Sequence, residues 1–347
     1  MSGLVIDICL FAHNEAERIT SVLGDLVQQS LLANDGTDWR LVVMANGCSD
    51  DTTAVAERWK SEQPERLAHR IEIATIQKSG KSRSWNIFTH QLLRPDAQQV
   101  IFMDADIRLV DPRTIQMMSE SLAARSELKV YVSRPVKDIQ YYNLKVGPVA
   151  WLINQGGGML DDYRTSISGQ LYVIRSETAR SITMPIGLPV EDGFLREMIL
   201  TDLLSRPEEI SRIDGRNDVF HVYESLRTVR QLLRHQTRIV IGSAINAALF
   251  ASLRRKQMSF DEAKRYLRAV ADDEDWLRTT LKAELPRAPF GYVPFHFLHK
   301  RLNIGKRTDI RMSAKTLLMT AVGFSMDAVV YVLATIRMTR GQGVGYW

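Results

Sequence analysis

The stretch Val100-Ile101-Phe102-Met103-Asp104-Ala105-Asp106 constrains this chain most, because four consecutive apolar residues run into two carboxylates one residue apart. A continuous apolar run of this kind suits a strand buried on both faces, and such a strand needs helices above and below a mostly parallel sheet. Open sheets of that type bind ligands beyond the carboxyl ends of their strands, so both aspartates stand where chemistry is expected. Their hard oxygens suit Mg2+ or Mn2+, ions that keep several waters and bind through one or two carboxylates plus substrate phosphates. The structural alternative is a strand-end turn whose aspartates cap the next element. Asp273-Glu274-Asp275 repeats the spacing but sits in a charged, helix-like stretch with no apolar strand before it, and reads as a solvated face.

The same pattern recurs upstream. Apolar runs at Leu4 to Ala12, Trp39 to Ala45 and Ile71 to Ile76 alternate with helical patterns at Glu15 to Gln29 and Ser49 to Ser61. That is a βαβαβ order, and it predicts a mostly parallel sheet. A helical stretch from Arg83 to Leu93 then leads into the strand that carries Asp104 and Asp106. Between Ile107 and Met184 the pattern is irregular, with an apolar run at Lys129 to Ser133, the cluster Gly156-Gly157-Gly158 and a strand at Gln170 to Arg175. This part reads as an insertion that shapes an acceptor site. Beyond about residue 225 the chain turns helical and basic, and it contains no internal repeat.

A length of 347 residues with 45% hydrophobic content is ample for a large core. The formal net charge of +5 points to anionic partners such as nucleotide sugars, phospholipid headgroups or nucleic acid. Cys9 and Cys48 are the only cysteines, so no disulfide framework is expected and a reducing compartment fits. Asp7 and Asn14 interrupt the short apolar start, which argues against a secretory leader there.

Smaller motifs surround the aspartate pair. Ala45-Asn46-Gly47-Cys48-Ser49-Asp50-Asp51-Thr52 is a turn after the second strand that opens a helix with Ser and Asp as cap residues. Its exposed amides and carboxylates can also hydrogen-bond a nucleobase. Gly80-Lys81 sets a flexible backbone and a cation just before a helix, where a diphosphate is favoured. It is not a P-loop, because the upstream glycine of that motif is missing.

In this order the motifs resemble the inverting family 2 glycosyltransferases with the GT-A fold. Phe11-Ala12-His13-Asn14-Glu15 is similar to the family's Pro-Ala-Tyr-Asn-Glu segment, and Asn46-Gly47-Cys48-Ser49-Asp50 to its Asp-Gly-Ser-x-Asp turn. Gly80-Lys81 followed by Asn86 resembles Gly-Lys-x-x-x-x-Asn, and Asp104-Ala105-Asp106 takes the metal-binding position. Ser168-Gly169-Gln170 before a strand resembles the acceptor loop, Val190-Glu191-Asp192 the x-Glu-Asp motif, and Gln231-Leu232-Leu233-Arg234-His235 the Gln-x-x-Arg-Trp motif. The resemblance covers about residues 4 to 240. It implies an α/β fold of GT-A type, a Rossmann-like mostly parallel sheet with a helical C-terminal region. The expected division is a catalytic domain over 1–240 and a helical, basic and aromatic region over 241–347. Phe11 replaces the family's Pro, Asn46 replaces an acidic residue, and His235 replaces Trp. The last change favours a single addition over polymerisation.

What the resemblance implies for the site is specific. Ala12, Asn14, Glu15, Asn46, Lys81, Asp104, Asp106 and Arg234 would bind a nucleotide-sugar donor linked to UDP or GDP, and Gly169 and Gln231 would contact the acceptor. Asp106, Asp104 and His221 would hold Mn2+ or Mg2+, although a lone His on an apolar run is often a core residue. Asp192 would be the base that deprotonates an acceptor hydroxyl, with Glu191 beside it. Expected partners are the donor, a lipid-linked or saccharide acceptor and a membrane surface, with no nucleic acid beyond the nucleotide. Two other readings stand beside this one: a sugar nucleotidyltransferase, although Phe11 to Glu17 lacks a glycine-rich loop, and a catalytically silent scaffold.

The C-terminal third raises the membrane question. Leu317 to Ile336 is twenty residues long, near a bilayer span, with Arg311 and Lys315 before it and Arg337 and Arg340 after. Asp327 lies at its centre, and a central Asp costs ~3 kcal/mol of insertion while nine Leu, Ile, Val and Phe residues return ~0.5 kcal/mol each. Thr320, Gly323, Asp327, Tyr331 and Thr335 share one helical face, so a helix in the interface or packed on the domain is expected in place of a span. Phe290 to Arg301 adds aromatics beside cations, as suits a headgroup boundary. The expected location is cytoplasmic, peripheral on the cytoplasmic face of the membrane.

Overall fold

The computed structural model describes residues 3–33, 36–155, 163–285, 293, 295–299 and 314–341. The Gly156-Gly157-Gly158 cluster and half of Phe290 to Arg301 lie outside the described residues.

The strands are β1 (Leu4–Ala12), β2 (Thr37–Asn46), β3 (Ile71–Ile76), β4 (Gln99–Asp104), β5 (Ile107–Arg108), β6 (Val130–Val132), β7 (Arg134–Lys137), β8 (Leu171–Arg175), β9 (Ile213–Asp214) and β10 (Phe220–Tyr223). The main sheet runs β3-β2-β1-β4-β8-β6-β9, and a small sheet runs β5-β10-β7. Strands β3, β2, β1 and β4 are parallel, while β8 is antiparallel to both β4 and β6. From β1 the chain steps outward to β2 and β3, then returns to the other side of β1 as β4. This reversal opens a crevice at the carboxyl ends of β1 and β4, where Phe11 lies opposite Asp104 in register.

The central strands β1, β2 and β4 are buried on both faces, while the edge strand β3 is only partly covered. Ile6, Ile8 and Leu10 with Ile101 and Met103 face the helices Ile19–Val27 and Thr114–Ala124. Cys9 and Phe11 with Val100 and Phe102 face the helices Lys81–Ile87, Glu191–Leu200 and Val229–Arg255. On that second face Phe102 is the hub of an aromatic cluster: its ring lies 5.8 Å from Phe11, 5.4 Å from Trp85, 5.6 Å from Phe88 and 5.2 Å from Tyr172. The Trp85 indole N–H donates to the Tyr172 hydroxyl at 3.1 Å, so the polar end of the cluster is also satisfied.

The expected division at residue 240 falls inside the helix Val229–Arg255, whose Val240, Ile241, Ala244, Ile245 and Leu249 belong to the same core as Phe11 and Phe102. The helix Ala314–Thr339 packs against Val229–Arg255. It buries Asp327, Val330, Tyr331, Ala334 and Thr335 while Val329, Val332 and Ile336 are exposed, so its polar stripe turns inward. The Tyr331 hydroxyl donates to the Val293 carbonyl at 3.1 Å. Among the described residues no helix is long and apolar enough to cross a membrane.

Phe102 has ring contacts on every side, so Phe102→Ala leaves a cavity that neighbours cannot collapse into. The expected loss is ~3–5 kcal/mol, read from the denaturant midpoint, and a loss below about 1 kcal/mol would contradict the cluster's structural role.

Candidate functional site

A cleft of about 290 Å³ opens at the strand reversal, lined by Phe11, Ala12, His13, Glu15 and Asn46 on one side and Gly80, Lys81, Asp104 and Asp106 on the other. Two loops stitched together form its first wall. Asn14, at φ 58°, accepts through its Oδ1 from the Ser49 amide at 2.8 Å and the Asp50 amide at 3.3 Å. The Glu15 amide donates to Thr52 Oγ1 at 2.7 Å, and His13 Nδ1 meets the Asn46 carbonyl at 2.6 Å. Gly47 closes the wall from behind. At φ +58°, a Cβ there would lie 2.7 Å from the Ser79 amide nitrogen, so no side chain fits.

Lys81 is the electrostatic centre. Its Nζ lies 2.6 Å from Asp104 Oδ1 and 3.4 Å from Glu191 Oε1, and donates to the Gly169 carbonyl at 2.9 Å. Burial by itself lowers a lysine, but Asp104 and then Glu191 outweigh it and hold Lys81 above its ordinary range. Burial pushes Asp104 up to about 7, with Lys81 opposing and Asp106 adding to the rise. Asp192 is pushed up to about 6 by burial and then by Glu191, against the pull of Lys81 and the Gly193 amide that donates to its Oδ1 at 2.7 Å. Gly169, at φ +74°, lets the loop 168–170 pass close by: a Cβ there would stand 3.3 Å from Asp192 Cβ and 3.6 Å from Lys81 Nζ.

The pair Glu191-Asp192 opens the helix Glu191–Leu200, where acidic residues favour the first turn. Behind it lies the helix Val229–Arg255. Asn246 Nδ2 donates to the Val190 carbonyl at 2.9 Å, and a Cβ on Gly242 would come within 2.2 Å of Val190 Cγ2. Two residues beyond the expected domain boundary therefore seat the turn that presents Asp192. Nothing local in the sequence marks them, since a Gly and an Asn in a helix do not disclose what they touch.

Several expected site residues take other places. Asn14 is spent on the loop wall and does not line the cleft. Gln231 closes a capping box with Thr228 at the start of Val229–Arg255: its Oε1 accepts from the Thr228 amide at 2.9 Å. The spacing Thr-x-x-Gln is the sequence signal for that role. Arg234 is exposed on the same helix and does not line the cleft. His221 is fully buried, with Nδ1 3.0 Å from Ser133 Oγ and Nε2 3.2 Å from Gln170 Oε1, and burial lowers it to about 3. Both ring nitrogens have a polar side-chain neighbour, the arrangement of a core histidine. Among the described residues, no three His, Cys, Asp or Glu side chains are grouped to hold a metal ion. Glu274 also departs from a plain solvated face. It receives Lys78 Nζ at 2.7 Å and Arg83 Nη2 at 3.1 Å, tying the helical region to both sides of Gly80-Lys81.

Asp104 and Asp106 nevertheless fit a hard divalent ion bound jointly with a diphosphate. Asp106 is exposed at the cleft, and its charge adds to burial in raising Glu15. That marks an excess of negative charge which a cation relieves. Arg18 answers part of it, lying 3.4 Å from Glu15 and 2.5 Å from Glu224.

Residues 7–163 match the family model described as Glycosyl transferase family 2. Among solved structures, a mannosyltransferase from Pyrobaculum calidifontis in complex with GDP-Man and Mn2+ is similar at 16% identity. The match covers 96% of this chain and 86% of that one with a TM-score of 0.54, and likeness at that identity speaks for the fold alone. Glucosyl-3-phosphoglycerate synthase from Mycobacterium tuberculosis, in complex with Mg2+ and uridine-diphosphate, matches at 19% identity over 73% of this chain and 80% of that one, with a TM-score of 0.47. No curated protein matches the chain in sequence.

If Gly242 is the seat of the Asp192 turn, Gly242→Ala must displace Val190. The expected cost is ~1–3 kcal/mol of stability, read by thermal melting, together with a fall in any turnover; an unchanged melt would refute the close packing. With the strand reversal and the aspartate pair in hand, residues 7–163 of the chain are similar to glycosyl transferase family 2, and the fold is of GT-A type.

Proposed function

We propose that the chain is an inverting glycosyltransferase that moves a sugar from a UDP- or GDP-linked donor to an acceptor hydroxyl. The observation that carries this reading is the convergence on Lys81 of Asp104 from β4 with the Glu191-Asp192 turn, beside Gly169, in the crevice of the strand reversal. Residues 1–240 hold the chemistry in this reading, and the helices of 241–347 support it.

The donor's diphosphate would lie along Gly80-Lys81 and the Asp104-Ala105-Asp106 edge. Asp106, with Asp104, would hold Mn2+ or Mg2+, which when bound offsets the charge of the departing nucleotide diphosphate. The buried Oδ1 of Asn46 lines the same cleft and has no hydrogen-bond partner among the described residues, so it suits an N–H of a uracil or guanine ring. Across the cleft Asp192 takes the proton of the attacking hydroxyl, and attack from the face opposite the diphosphate inverts the anomeric centre. Glu191 stays paired with Lys81 and orients the acceptor or the base. The acceptor in this reading is a lipid-linked or saccharide hydroxyl, met at the cytoplasmic face of a membrane that the protein contacts peripherally.

Asp192→Asn should keep nucleotide-sugar binding by calorimetry and lose turnover by roughly 10²–10⁴-fold; normal transfer by this variant would remove the base assignment. Because the base works only when ionised and its proton leaves near 6, kcat should rise with pH through about 6 and level off above it. Asp106→Ala should weaken donor binding in Mn2+ or Mg2+ and change it little in EDTA. Equal turnover by the parent protein with and without metal would defeat the metal reading.

A further inference from the structure

Large apolar side chains are exposed at thirteen places among the described residues, and six of these (Tyr141, Tyr142, Leu144, Val149, Trp151 and Leu152) fall within twelve residues of chain. Trp151 is 54% exposed, an uncommon state for so large a side chain. The segment is held in place and not adrift. In the helix Pro148–Gln155 the inner side carries buried Ala150 and half-buried Asn154. Asn154 accepts from Lys137 Nζ at 3.2 Å through its carbonyl and donates to the Leu226 carbonyl at 2.9 Å. Tyr141 packs 5.7 Å from Phe220 of β10.

Those tethers place the platform beside the cleft. Lys137 and Tyr223 are paired between β7 and β10, and Tyr223 is paired with Ile107, the residue after Asp106. Within the two stretches of chain that carry the platform, the unmatched charges are basic. In residues 137–155 and 224–234 the only acids are Asp138 and Glu224, and each is already matched, by Arg227 and by Arg18. Lys145 and Arg230 are exposed without an ion pair among the described residues, and Arg230 adjoins exposed Val229.

We propose that this platform, Tyr141 to Leu152 with the exposed start of Val229–Arg255, docks on the surface of an anionic lipid bilayer. Tyr and Trp among Lys and Arg match the headgroup boundary, where amphipathic rings sit at the interface and cations meet anionic lipid. A second copy of the chain fits less well, since a symmetric contact would press Lys145 and Arg230 against each other with no acid to receive them. The proposal rests on the membrane-proximal reading above and names the face that carries it: the lipid surface would lie on the Asp106 side of the cleft, delivering a lipid-borne hydroxyl to the donor. The inward-turned helix Ala314–Thr339, whose exposed stripe is Val329, Val332 and Ile336, is the rival element.

The test is co-sedimentation of the full chain with vesicles of phosphatidylcholine alone or mixed with phosphatidylglycerol. The parent protein should pellet with the mixed vesicles only. Trp151→Glu with Leu152→Glu, and separately Lys145→Glu with Arg230→Glu, should each weaken binding by roughly tenfold or more. Their melting temperature and vesicle-free nucleotide-sugar binding should be unchanged. A parent protein that stays in solution with both vesicle types overturns the membrane reading and this face together. A parent that pellets while both variants pellet equally overturns the face and leaves the membrane reading intact. Release by Val332→Glu with Ile336→Glu alone transfers docking to the C-terminal helix, and concentration-dependent dimers dissolved by Trp151→Glu would assign the platform to a second copy.

Discussion

Asp104, Glu191 and Asp192 can share one largely buried corner because the Lys81 ammonium sits between them, within 2.6 Å of Asp104 and 3.4 Å of Glu191. Without that cation each carboxylate would add its repulsion to the cost of burial, which already lifts Asp104 to about 7 and Asp192 to about 6. Lys81 begins a helix, and one turn later Trp85 is locked into the aromatic cluster around Phe102. Phe102 lies two residues before Asp104 on β4. One packed cluster therefore fixes the cation and the first of its carboxylates relative to each other, and the pairing follows from the core.

The second half of the site depends on the helices that follow the sheet. Gly242 allows Val229–Arg255 to approach Val190 closely, and Asn246 caps the carbonyl of that residue, so the Glu191-Asp192 turn is backed by a surface beyond residue 240. Glu274 reaches further still, to Lys78 and Arg83 on either side of Gly80-Lys81. These pairs are largely exposed and add little to stability one by one, but they link the helical region to the loop that would face a diphosphate. The helices past the sheet are thus part of the site's framework, and the inward-turned Asp327 and Thr335 fit a helix seated on protein through its polar side.

Much of the fold was legible in the chain. The strands at Leu4–Ala12 and Ile71–Ile76 have the expected bounds, because a buried central strand leaves a long apolar run and an edge strand a shorter, alternating one. The candidate site was legible in part. Asp104, Asp106, Lys81, Asn46, Glu15 and Ala12 do meet in one cleft, since motifs at the carboxyl ends of parallel strands are gathered by the sheet itself. Asn14, Gln231 and His221 carried the right residue types but are used for a loop tie, a helix cap and a core hydrogen-bond pair.

The sequence by itself determined the periodicities, and with them the parallel sheet, the edge at which chemistry gathers and the residue types available there. Only the tertiary structure decided which polar side chains face the cleft, because a side chain's partners across 50 or 90 positions of chain leave no local pattern. It also decided that the helix Val229–Arg255 runs through residue 240, that Asp192 is seated by Gly242 and Asn246, and that the large apolar side chains from Tyr141 to Leu152 remain uncovered. Each of these is a matter of which surfaces meet, and contact between distant segments is settled by packing and not by composition.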